Sequence, residues 1–158
     1  MRVTRSPLPR SSELHNRFEP GDFLDCFSVE SDLSPRQAAD IITSFPGWAR
    51  GLVRLRGLVT SPFGLRQTGP DTQDMVGIFP VEKDSETELI AGFNDRHLDF
   101  RVSVCSVNGY VSLATWVRRH NFGGALYLAA IMPFHILIAR NALARVGSAT
   151  EHAKPKPA

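Results

Sequence analysis

The chain has 158 residues, 42% of them hydrophobic and 22% charged, with a formal net charge of +2. That is enough chain for one soluble domain with a real core. A charge so near neutral, with no Lys/Arg block and no recognised nucleic-acid motif, excludes nucleic acid as a partner. Cys26 and Cys105 stand far apart and outside any CxxC pattern. This argues against a zinc site or a disulfide framework, leaves no cofactor to expect, and fits a reducing cytoplasm.

Residues 1–21 hold Pro7, Pro9 and Pro20 among mixed polar side chains and no apolar run, so an extended N-terminal arm is expected rather than a secretory signal. A single domain over 22–146 follows, then a disordered tail over 147–158 that contains Lys154-Pro155-Lys156-Pro157.

Asp22 to Glu30 alternates as a strand, with Phe23, Asp25, Phe27 and Val29 on one side. Ser34-Pro35 starts a helix, Ser as N-cap and Pro at the first position, and Ala38, Ile41, Ile42 and Phe45 recur at helical spacing. A second short helix begins at Pro46, where Trp48, Leu52, Leu55 and Val59 form an apolar stripe expected to be core. Gly64 to Asp74 reads as loop.

From Met75 the period changes to two, with strands expected over Met75–Val81, Glu86–Phe93, a central strand within the stretch Gly92–Val104, and Tyr110–His120. Leu98, Phe100, Val102 and Val104 share one face; His97, Asp99, Arg101 and Ser103 share the other. Asn108-Gly109 predicts a type I′ hairpin turn. Val104 then meets Leu113, Val102 meets Thr115, Phe100 meets Val117, Arg101 meets Trp116, Asp99 meets Arg118 and His97 meets His120. A similar turn at Asn94-Asp95 would set Leu89 opposite Phe100, Ala91 opposite Leu98 and Glu88 opposite Arg101. Both registers pair acid with base and apolar with apolar, and a one-residue slip would reverse the faces.

Phe122 to about Val146 is a long helix, apolar nearly all round in its first half, with Pro133 expected to kink or split it. No Asp, Glu, Lys or Arg occurs from Phe122 to Ala139, yet the run is short for a span and contains Gly123, Gly124, Pro133 and His135, so membrane association is the minor reading.

The expected fold is therefore α+β: an antiparallel sheet covered by a long C-terminal helix, with two short helices after the first strand. This element order resembles the helix-grip fold of the START and Bet v 1 superfamily, in which a sheet wraps a long C-terminal helix around an apolar cavity. The local runs Asp95-Arg-His-Leu-Asp-Phe100, Thr115-Trp-Val, His120-Asn121, Gly124-Ala-Leu-Tyr127 and Pro133-Phe-His135 resemble those of a bacterial family of unknown function. That family stands alone or follows an NAD-binding short-chain dehydrogenase-like domain. Ala125 is a departure, since the family is expected to carry Arg there. The resemblance implies no activity.

Candidate site residues are His97, Asp99, Phe100, Thr115, Trp116, His120, Tyr127 and His135. The favoured function is binding of a small apolar molecule between sheet and helix, lined by Leu98, Phe100, Val102, Thr115 and Tyr127, with His135 as the polar contact. The row His97, Asp99, Arg101 with Arg118 and His120 opposite reads first as an exposed ion-pair ladder, including Glu88 with Arg101 and Arg101 over Trp116. Two histidines without a third positioned ligand do not make a metal site. The alternatives are an enzyme acting through His97, Asp99 and His120, or an interaction module for a dehydrogenase-like or membrane partner. Gly123-Gly124 is read as a close helix–sheet contact rather than a phosphate cradle. Oligomeric state is not legible.

Overall fold

The computed structural model describes residues 1–51 and 73–153. Its architecture is a seven-stranded antiparallel sheet, with one face covered by two helices. In chain order the elements are β1 (Thr4–Arg5), a 3₁₀ turn (Glu13–Asn16), β2 (Phe23–Glu30), α1 (Pro35–Thr43), β3 (Met75–Val76), β4 (Phe79–Asp84), β5 (Glu88–Asn94), β6 (Leu98–Val107), β7 (Tyr110–Arg119) and α2 (Phe122–Ala153). The spatial order β1-β2-β7-β6-β5-β4-β3 makes β3–β7 a meander, closed on its far side by β2. This is a helix-grip arrangement in an open sheet.

Two short polar signals explain much of this. Ser34 caps α1 with a complete capping box, its hydroxyl accepting from the Gln37 amide while the Gln37 side chain accepts from the Ser34 amide. Asn108 (φ 54°) and Gly109 (φ 76°) both take the left-handed conformation that a type I′ turn demands. The β6–β7 register follows from that turn, so Val104 faces Leu113, Phe100 faces Val117 and Arg101 faces Trp116.

The β5–β6 register differs from expectation by four residues. Leu89 faces Val104, Ala91 faces Val102 and Glu88 faces Cys105. The chain reverses at Arg96-His97, where the Asp95 amide donates to the Leu98 carbonyl (2.9 Å) and Asp95 Oδ1 accepts from the Arg96 amide (2.6 Å). Asn94-Asp95 lacks the glycine that makes Asn108-Gly109 a strong turn. An even shift conserves the faces, so the apolar pattern could not reveal it.

The core lies between the sheet and the two helices. Val29, Val104, Val111 and Leu89 from the strands meet Ala142, Leu143 and Val146 of α2, all at most 2% exposed. Arg145 ties the helices together, donating to the carbonyls of Ile41 (2.7 Å) and Ser44 (2.8 Å) at the C-terminal end of α1. A cation there neutralises carbonyls that have no helical partner.

Several expectations change. Pro133 does not split α2, which runs unbroken to Ala153 and takes in the first part of the expected tail. Pro133 and Ala129, whose carbonyl loses its helical donor, are both exposed. The expected Met75–Val81 strand is two, separated by a turn at Gly77 (φ 59°). Trp48, expected in the core, is 44% exposed on a helical turn over 47–51, while Ala49 is buried. The rest of that helix and the 64–72 loop lie outside the described residues.

The N-terminal arm is packed rather than free-standing. β1 adds to the edge of β2, and Leu14, fully buried, sits on the outer sheet face against Cys26, Ala114 and Trp116. That face is therefore partly covered, and its polar row is not a simple solvated ladder.

Candidate functional site

Helix α2 touches the sheet closely at two glycines. At its start, a Cβ on Gly124 would overlap the His97 carbonyl oxygen; near its end, one on Gly147 would lie 3.0 Å from Val29 Cγ2. Between these points the helix spans an apolar cavity of about 200 Å³. The sheet contributes Phe23, Leu98, Phe100, Val102, Leu113, Thr115 and Val117, and α2 contributes Tyr127, Leu128, Ile131, His135 and Ile138. Phe100 is held edge-on by Phe79 and Phe93 at ring-centroid distances of 5.3 and 5.0 Å, so this wall is built of interlocked aromatics.

One lining residue, His135, is paired with an acid that lies outside the lining. His135 Nε2 lies 3.0 Å from Asp25 Oδ2, and the Asp25 side chain is 4% exposed. Asp25 Oδ1 is buried with no hydrogen-bond partner. A carboxylate oxygen taken from water and left unpaired is costly. Asp25 was visible in the sequence as the acid in the row Phe23, Asp25, Phe27 and Val29, but nothing there pointed to His135.

The structure divides the eight candidate residues. Phe100, Thr115, Tyr127 and His135 line the cavity. His97, Asp99, Trp116 and His120 do not. His120 Nε2 pairs with Asp99 Oδ1 at 3.0 Å. Asn121, the cap of α2, accepts from the Gly124 amide through Oδ1 (3.0 Å), and its Nδ2 lies 3.0 Å from His97 Nδ1. The start of α2 is thereby capped and pressed on the β5–β6 turn, as a close helix–sheet contact requires. Gly124→Ala should destabilise the fold by about 2 kcal/mol despite the better helix propensity of Ala, because the clash is with backbone. Urea unfolding would read this, and an unchanged midpoint would refute the contact.

The expected ladder on the outer face is rearranged. Arg101 is 5% exposed and pairs with Glu82 (2.6 Å) and the Asn94 side-chain oxygen (2.8 Å), not with Glu88. Arg118, not Arg101, lies over the Trp116 ring, 5.2 Å from its centroid. Arg118 pairs with Asp22, and Asp99 pairs with His120 instead.

Glu88 anchors a separate buried cluster. Its Oε1 accepts from Ser12 and Ser103 (2.6 Å each), and its Oε2 from the Glu13 amide (3.0 Å). Burial raises its pKa, but these bonds outweigh burial and hold the carboxyl below its ordinary range. Burial also pushes the Cys105 thiol up to about 12, which leaves it protonated and inert. Among the described residues no group of three or more His, Cys, Asp or Glu is arranged to hold a metal ion.

Sheet, helix and cavity together define an α+β protein of helix-grip arrangement, with an apolar cavity and, at its wall, a histidine paired with the buried Asp25. The chain belongs to the family described as protein of unknown function (DUF2867), which matches residues 18–142. The cavity-lining residues, from Phe23 to Ala142, all fall within that match. No curated protein and no solved structure matches the chain.

Proposed function

We propose that this protein binds a small, largely apolar molecule with one polar donor group, its apolar body in the cavity and its polar end at His135, which Asp25 orients. The observation that carries this reading is an apolar cavity with one imidazole in its wall, His135, which the buried Asp25 carboxylate holds from behind. Pockets of this kind hold ligands by apolar area and orient them by one or two polar groups. The element order, similar to that of the START and Bet v 1 superfamily, supports the same use.

The size narrows the ligand class. A cavity of about 200 Å³ exceeds the roughly 150 Å³ that admits benzene and lies below the roughly 300–1,000 Å³ of drug-sized sites. A substituted monocyclic aromatic or a short-chain alcohol fits these limits.

Calorimetric titration with 4-alkylphenols and the matching alkylbenzenes tests the proposal. One saturable site is expected, with the phenols binding about tenfold tighter through a hydrogen bond to His135. Ala139→Phe, which fills the cavity, should abolish binding; Ala139→Leu is the milder filler should the first variant fold poorly. Absence of saturable binding across both series would end this reading.

A further inference from the structure

Helix α2 has two apolar faces and only one partner. Tyr127, Leu128, Ile131, His135 and Ile138 face the cavity, whereas Phe122, Leu126, Ala130, Phe134 and Leu137 recur at helical spacing on the opposite side. Phe122 is 81% exposed, Leu126 63%, Leu137 55% and Phe134 49%. Isolated exposed apolar residues are ordinary; a continuous stripe of large ones marks an interaction surface.

The charges around the stripe say what covers it. No acidic residue occurs in α2 before Glu151. Arg140 continues the exposed stripe beyond Leu137, and Arg119, which donates to the Gly21 carbonyl, lies three residues before the helix. Arg96 lies in the β5–β6 turn that packs on the helix start. All three are exposed, and among the described residues neither Arg96 nor Arg140 pairs its guanidinium. The acids at that end are engaged, Asp99 by His120 and Asp95 by the Arg96 amide.

We propose that this face of α2 lies on an anionic lipid bilayer, with the apolar stripe in the headgroup–acyl boundary and the arginines on lipid phosphates. Apolar burial plus basic flanks is the recognition chemistry of interfacial helices. A second copy of the chain fits less well. Antiparallel pairing of two stripes would bring Arg140 of each against Arg96 and Arg119 of the other, and parallel pairing would set Arg140 on Arg140, with no acid to offset either.

Phe122–His152 has the length to cross a membrane, and its most apolar 18-residue window has a mean hydropathy of 1.8. Its other face is engaged by the sheet, however, and the bare stripe from Phe122 to Leu137 spans only about 24 Å at 1.5 Å per residue, so the helix lies along the surface. The proposal is independent of whether the cavity is filled, because it uses the opposite face.

The test is flotation of the full chain with phosphatidylcholine vesicles, with and without phosphatidylglycerol, alongside light scattering for oligomeric state. Binding is expected only with phosphatidylglycerol, falling at high salt and at least tenfold weaker in Leu126→Glu/Leu137→Glu. Arg96→Glu/Arg140→Glu should lose the dependence on anionic lipid. These four positions are exposed, and an unchanged circular dichroism spectrum would show that the variants fold. A concentration-dependent dimer dissolved by the leucine variant would overturn the proposal in favour of self-association. A monomer indifferent to both vesicle types would overturn it outright.

Discussion

Glu88→Ala is expected to destabilise the protein by about 3–4 kcal/mol and to loosen the N-terminal arm from the sheet. Hydrogen bonds to a charged acceptor contribute roughly 1.5–3 kcal/mol each and do not add fully. Here Ser12, Ser103 and the Glu13 amide would all lose theirs at once. At this chain length the loss corresponds to a melting temperature lower by about 10 °C. Trypsin should then cut at Arg10 and Arg17, which flank the docked Leu14. A shift below about 1 kcal/mol with the arm still protected would show that Glu88 does not hold it.

Acid should act through the same group. Because the folded Glu88 carboxyl titrates below its ordinary value of 4.5, its stabilisation is complete above that pH and is lost as pH falls through the folded pKa. Glu88→Gln should lower stability at pH 7 and flatten the decline below pH 4.5.

The second large effect concerns Asp25 and His135. His135→Ala removes the hydrogen-bonding partner of a carboxylate that is 4% exposed and already has one unpaired oxygen, and should cost about 3 kcal/mol. Asp25→Val combined with His135→Leu should be neutral or stabilising, because apolar replacements of similar size escape the desolvation penalty. Chemical unfolding of the two single variants and the double gives the coupling. The same double variant should erase the tenfold preference for phenols over alkylbenzenes. If it is as destabilised as His135→Ala, the pair is structural rather than retained for a ligand.

Local patterns in the sequence were enough for the α+β class, the capped start of α1, the β6–β7 register and the apolar row Leu98, Phe100, Val102 and Val104. Each depends on interactions within a few residues or on strict alternation: a Ser–Gln capping box, two residues at positive φ, a period of two. The four-residue displacement of β5 on β6 was invisible because it is even and leaves the faces unchanged.

The site depended on contacts far apart in the chain. His135 meets Asp25 across 110 positions, and Glu88 meets Ser12 across 76. Nothing in a local period encodes such partners, so Asp99 was assigned Arg118 where the fold supplies His120, and Arg101 was assigned Glu88 where it supplies Glu82. The sequence by itself determined that α2 would be apolar on nearly every side. Only the tertiary structure decided which face closes a cavity and which stays bare, because the sheet can cover one side of a helix and no more.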